Sequence, residues 1–110
     1  MASPLTYGDL RKLAKFCGLT TRKTGSLGDK CLIEERHRLW QPDIDATQCM
    51  ELLRCVCVEP ISILIEYLPP PNKVRVEVLR NGYVGSVGSA SANGLQEAVC
   101  LAVMDYISSA

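Results

Sequence analysis

Six cysteines and one histidine are the side chains of this chain whose chemistry stands out first. Cysteines pair as disulfides in oxidising compartments, and zinc sites need two close cysteine pairs or a cysteine pair with a histidine pair. Only Cys55 and Cys57 are closely spaced, and His37 is the sole histidine. Three other cysteines fall on apolar faces of predicted helices, namely Cys17, Cys49 and Cys100. The sequence therefore predicts reduced, mostly buried thiols, no metal site and no cofactor, with metal binding by Cys55 and Cys57 left as the alternative.

Two polar segments contain groups that can hold a phosphate. Residues 20–30 combine Thr, Ser and Gly with cations, and residues 85–94 lead into the last predicted helix, where backbone N–H groups and the helix dipole favour anions. Neither segment matches a P-loop, and an ordinary surface loop or helix capping explains the same composition. The candidate phosphate ligands are Arg22, Lys23, Lys30, Ser89, Ser91 and Asn93.

Cations and aromatic rings elsewhere in the chain offer further contacts. Arg11, Lys12 and Lys15 lie on the outer face of the first predicted helix, where they could bind a protein partner or a phosphate. Trp40 and Tyr83 are candidates for stacking on a base, although Trp40 also suits packing at a junction between sheet and helix. A single histidine and the lack of a paired-carboxylate arrangement argue against catalysis, so we expect no enzyme.

Helical patterns predict the elements that carry these groups. Thr6 is a good N-cap for a helix over residues 7–17, and Asp45 is a good N-cap for a helix that ends near Cys57. Between them, residues 19–30 are predicted to form a mobile polar loop. The residues that follow are predicted to be irregular, with a short strand near Leu32 as the alternative. A long apolar stripe after Gly94 predicts the main core helix, which is buried between layers or forms a subunit contact.

Alternating apolar residues predict a three-stranded antiparallel meander. Isoleucines recur at every second position from Ile61, valines do so from Val74, and the Asn81-Gly82 turn should start a third strand over residues 83–87. With the three helices, this makes residues 1–110 a single α+β domain in which helices pack on a small sheet.

Charge is distributed unevenly along the chain. Residues 1–38 hold eight Lys/Arg and four Asp/Glu, whereas residues 39–110 hold four and eight. The basic third could attract an acidic partner, although a solvated face is the ordinary explanation. The first residues lack a signal peptide and no apolar run could span a bilayer, so we expect a cytoplasmic protein with no membrane contact.

The order of motifs resembles the phage ABA sandwich domain family of small tailed-phage and prophage proteins. The residues that carry the resemblance are the Trp40-Gln41-Pro42 motif with Asp45, the apolar helix from Gln48, the meander, and the small-residue approach to the Ala/Cys-rich last helix, over roughly residues 38–108. The resemblance implies helices packed on a sheet and expression in an infected bacterium, with no chemistry common to the family. The long polar loop, the triple proline and the cysteine count depart from the family pattern.

A non-catalytic binding role follows from these observations taken together. The function predicted is binding and inhibition of a bacterial host or defence protein, an anti-defence role in a host-virus interaction. The alternative is a nucleotide-binding protein that sequesters a small phosphate-containing signal. Nucleic acid is not an expected partner, because the chain is 5% aromatic and near neutral overall. A homodimer remains open.

Overall fold

The computed structural model describes residues 5–24, 30–69 and 73–109, which form three helices and two three-stranded antiparallel sheets. In chain order the elements are α1 (Tyr7–Phe16), β1 (Thr21–Thr24), β2 (Lys30–Ile33), β3 (Arg38–Leu39), α2 (Ala46–Val56), β4 (Ile61–Leu68), β5 (Lys73–Arg80), β6 (Ser86–Ala92) and α3 (Leu95–Ser109). The strand orders are β1-β2-β3 and β4-β5-β6. The predicted α+β class is confirmed, and the predicted meander is the second sheet.

The first sheet corrects the prediction of a polar loop over residues 19–30. Thr21–Thr24 form β1 and pair with β2, so that Lys23 lies opposite Cys31 and Thr21 lies opposite Ile33. Cys31 and Ile33 are buried against the rest of the core. Because this burial comes from distant residues, the polar local composition did not reveal the strand. Residues 25–29 of the predicted loop lie outside the described residues.

The third strand of the meander is also shifted from its predicted place. Tyr83 donates its N–H to the Arg80 carbonyl at 3.0 Å, and Gly82 has a φ of 89°, whereas Asn81 is not in the positive-φ region. This pattern fits a type II turn rather than the two-residue hairpin turn that needs positive φ at both positions. A second positive-φ glycine, Gly85, then lengthens the connection, and β6 starts only at Ser86.

Helix α3 is the centre of the core. Its fully buried residues are Ala98, Val99, Cys100, Ala102 and Val103. The helix packs mainly on β6 and β5 and also contacts α1 and α2. Its apolar stripe is therefore covered within one chain, which favours the layered alternative over a subunit contact by α3. None of the helices in the described ranges has the length and hydropathy that crossing a bilayer requires.

Candidate partner-binding surfaces

Helix α1 holds three cations rigidly at the surface. A capping box starts the helix, because Asp9 N–H donates to the Thr6 hydroxyl at 3.2 Å and Thr6 N–H donates to the Asp9 carboxylate at 3.1 Å. One face is anchored in the core by Leu10, Leu13 and Ala14. The opposite face presents the exposed side chains of Arg11, Lys12 and Lys15, which we call the α1 basic stripe.

The α1 basic stripe is not neutralised by any described acidic residue. The ion pairs among described residues join Arg36 to Glu51 and Arg75 to Glu66 and Glu77. Arg36 and Glu51 connect the β2–β3 turn to α2. Hydrogen bonds from Arg36 hold the pKa of Glu51 below its usual value. The stripe therefore keeps its charge available to solvent or a partner.

The predicted cations of the β1–β2 hairpin are divided between its two faces. Lys23 lies on the side of Cys31, and its Nζ stands 5.8 Å from the centroid of the Tyr7 ring, a cation–π contact with α1. Arg22 and Lys30 lie on the opposite side, where Arg22 borders a hollow of about 240 Å³. The three residues are close in sequence, yet they do not converge on one ligand position.

The serines predicted at the start of the last helix lie in β6 instead. Ser89 and Ser91 are opposite Glu77 and Arg75, and Ser89 donates its N–H to the Asp105 carboxylate at 2.9 Å. Asn93 follows the strand and is exposed. The candidate phosphate ligands thus occupy separate surfaces, and the described residues show no joint cradle of N–H and cationic groups from them.

The two predicted stacking residues differ completely in accessibility. Trp40 is 1% exposed and is a core residue, so the packing alternative is correct and base stacking by Trp40 is ruled out. Tyr83 is 61% exposed, and the Arg80 guanidinium lies 5.0 Å from its ring centroid. Tyr83 and Arg80 line a shallow cleft of about 520 Å³ that also contains Glu59 and Glu77, two carboxylates that would repel a phosphate.

The cysteines behave mainly as core residues. Burial raises the pKa of Cys49 to about 11, and burial also raises the pKa values of Cys31 and Cys100, so these thiols stay protonated at neutral pH. Cys57 is exposed and Cys55 is half-buried. Within the described ranges, no three His, Cys, Asp or Glu side chains are grouped closely enough to hold a metal ion.

The exposed edge of the meander is a further surface that the sequence predicts for a protein partner, through addition of a strand. Among the described strands, β4 pairs with β5 alone and so forms such an edge. The Pro60 carbonyl accepts the Asn81 N–H at 2.8 Å and so points toward β5. Successive residues of a strand direct their backbone N–H and C=O groups to opposite sides. The groups that point away from β5 are therefore those of Ile61, Ile63, Ile65 and Tyr67. We call this row of groups the β4 edge. An eight-residue strand with apolar residues on both faces was the available signal.

Comparisons with protein-family models, with curated proteins and with solved structures found no match to this chain.

Proposed function

We propose that this protein is a non-catalytic binding module that uses the α1 basic stripe to engage an acidic surface of a bacterial protein and inhibit it. The observation that carries the proposal is the stripe itself, in which Arg11, Lys12 and Lys15 are exposed and lack an ion pair with any described acidic residue. Complementary charge speeds encounter and selects partners.

The stripe works against the stability of its own helix. Arg11 and Lys15 are four residues apart and Lys12 and Lys15 are three apart, so they are neighbours on the helix surface. Like charges at these spacings destabilise a helix by roughly 0.2–0.5 kcal/mol per pair. Lys15 in the last turn regains part of this from the helix dipole. Asp9, three residues before Lys12, offsets a further part. The mutual repulsion of the three cations is better explained by contact with a partner than by folding.

The bacterial partner in this proposal rests on the predicted resemblance of residues 38–108 to phage ABA sandwich domains. A small phage protein acts inside an infected cell, where host regulatory and defence proteins are the available targets. An inhibitory, anti-defence role in the bacterial cytoplasm is therefore part of the proposal. The competing role, sequestration of a nucleotide, receives less support because its proposed ligands are dispersed over several surfaces.

Charge reversal of the stripe tests the proposal. We expect the double variant Arg11→Glu with Lys12→Glu to lose a partner that the wild-type protein captures from bacterial lysate. With that partner purified, calorimetric titration should show a Kd raised about tenfold or more, and a wild-type Kd that rises with salt. The melting temperature should be unchanged or higher, because repulsion within α1 is relieved.

A matched control separates this surface from net charge. Arg54→Glu with Lys73→Glu reverses two exposed cations on α2 and β5 and should bind like wild type. Equal binding by the stripe variant would contradict the proposal. Native mass spectrometry of the same samples covers the competing role, since a retained nucleotide-sized mass with no captured protein would favour sequestration.

A further inference from the structure

The two edges of the β4-β5-β6 sheet differ in what covers them. At the β6 edge, Asp105 of α3 accepts the outward N–H of Ser89, and α3 comes so close to Gly88 that a Cβ there would lie 2.7 Å from the Tyr106 backbone nitrogen. At the β4 edge, no described strand pairs with Ile63, Ile65 or Tyr67. The N–H of Ile61 donates to the Val58 carbonyl at 2.9 Å, and no described backbone group outside the strand accepts from the N–H groups of Ile63, Ile65 and Tyr67.

The β4 strand carries apolar residues on both faces and has little of the usual protection of an edge. Natural edge strands carry lysines, prolines or bulges that prevent pairing with another chain. Residues 61–68 contain neither lysine nor proline, and Glu66 is the only charged residue. On the helix-facing side Ile61, Ile63 and Ile65 are only half-buried, and on the other side Leu64 is 47% exposed. This surface has the character of an interface.

We propose that two copies of this chain pair through β4 in antiparallel orientation, with Leu64 of each copy at the two-fold axis. The β4-β5-β6 sheet of one copy and the β4-β5-β6 sheet of the other then become one continuous six-stranded sheet. This inference goes beyond the proposed function and uses a surface separate from the α1 basic stripe.

The residue pairs formed around Leu64 are complementary on both faces. Ile63 lies opposite Ile65 of the second copy, and Ile61 lies opposite Tyr67. The N–H and C=O groups of these residues point outward, so Ile63 and Ile65 form a fully hydrogen-bonded pair. The Ile61 N–H already donates to Val58, so the outer pair forms through the Tyr67 N–H and the Ile61 carbonyl. The two Leu64 side chains meet in a non-hydrogen-bonded pair, where side chains approach most closely.

Charge disfavours one neighbouring register, and a shorter paired segment disfavours the other. Each Glu66 lies opposite a Ser62 hydroxyl, which can donate to it, and the two carboxylates are about 13 Å apart along the strands. That distance exceeds the screening length of about 8 Å at physiological salt. A register centred on Ile65 would instead place Glu66 opposite Leu64 and bring the carboxylates to about 7 Å along the strands. A register centred on Ile63 would leave Tyr67 beyond the paired segment.

The dimer can be tested by sedimentation velocity over a concentration series, using variants that place a charge at Leu64 on the two-fold axis. Wild type should sediment as a dimer, whereas Leu64→Lys and Leu64→Glu should each be monomeric, because like charges would stand directly opposite each other. We expect a dissociation constant raised about tenfold or more in each case. An equimolar mixture of the two variants should form a heterodimer, since Lys then faces Glu.

Controls keep the result specific to β4. Val84→Lys replaces a fully exposed apolar residue in the β5–β6 connection and should remain dimeric. Buried Trp40 reports by its fluorescence that each variant is folded. A monomeric wild type, a dimeric Leu64→Lys variant, or a mixture that stays monomeric would each overturn the proposal.

Amide hydrogen exchange gives a test that needs no substitution. In a monomer the N–H groups of Ile63, Ile65 and Tyr67 face solvent and exchange quickly, whereas pairing in the dimer protects them. Their exchange should therefore slow as protein concentration rises. Fast exchange of all three at concentrations where sedimentation shows a dimer would place the interface elsewhere and overturn pairing through β4.

Discussion

At the scale of single residues, Gln48 gives a structural role to the segment around Trp40, for which the sequence had also suggested base stacking. Its side chain is 7% exposed, and it accepts the Gln41 N–H at 2.6 Å and donates to the Leu39 carbonyl at 2.7 Å. Its own N–H is capped by Asp45 at 3.1 Å. These bonds fix the backbone on both sides of Trp40. The segment from Trp40 to Asp45 thus forms the start of α2, and its Trp40 ring is too buried to bind a ligand.

Replacing Gln48 tests this role. Gln48→Leu keeps the volume but leaves the Gln41 N–H and the Leu39 carbonyl without a partner, so we expect a loss of roughly 2–4 kcal/mol in the free energy of unfolding. Urea denaturation followed by Trp40 fluorescence measures the change. The exposed neighbour Thr47 is the control, because Thr47→Leu should change stability by less than about 0.5 kcal/mol. Equal stability of both variants would show that the two hydrogen bonds contribute nothing.

At the scale of elements, small side chains in β6 decide how closely α3 approaches the sheet. The strand consists only of Ser, Gly and Ala apart from Val87. A Cβ placed at Gly88 would lie 2.7 Å from both the Cβ and the backbone nitrogen of Tyr106. The stretch that resembled a flexible, helix-capping approach is instead a strand whose small residues allow close helix packing.

Adding a methyl group at Gly88 should therefore separate the helix from the sheet. We expect Gly88→Ala to lower the free energy of unfolding by about 1–3 kcal/mol, because the contact with Tyr106 includes backbone that cannot move aside. Gly94→Ala is the matched control, since no atom lies within 4 Å of its Cβ position and its φ is not positive. Urea denaturation of both variants measures the effect. A fully stable Gly88→Ala protein would mean that α3 shifts without cost.

At the scale of the whole molecule, one hydrophobic core joins all three helices to both sheets. Leu13 of α1, Ile33 of β2, Leu52 of α2, Val76 of β5 and Val99 of α3 belong to the same buried cluster. The basic first third of the chain is thus packed on the acidic remainder through shared apolar residues. The α1 basic stripe is carried by the same rigid body as the β4 edge.

A single core predicts a single unfolding transition. Trp40 fluorescence reports on the region between β3 and α2, whereas far-UV circular dichroism reports on all helices and strands. We expect the two signals to give the same urea midpoint and slope, as in two-state unfolding of a small domain. A circular dichroism transition that precedes the fluorescence transition would show that part of the chain, such as the β1–β2 hairpin with α1, unfolds independently.

Local signals in the sequence determined much of this fold. Caps at Thr6 and Asp45 and the apolar spacing behind them located α1 and α2 to within a residue or two, because capping depends only on neighbouring atoms. Alternation in residues 61–80 identified β4 and β5 in the same way. The cations of the α1 basic stripe could be placed on an outer face from helical spacing alone.

Only the tertiary structure decided the remaining features, because each depends on contacts between distant residues. The β1 strand exists because its partner β2 is buried. Ser89 and Ser91 belong to β6 because the small residues that alternate with them, Gly88, Ala90 and Ala92, lie on the side where α3 packs closely. Packing of Trp40 at a junction between sheet and helix was predicted from its position before a helix, but its nearly complete burial depends on residues distant in the chain. The openness of the β4 edge is likewise a property of the assembled sheet, since a strand is an edge only when its neighbours in space are known.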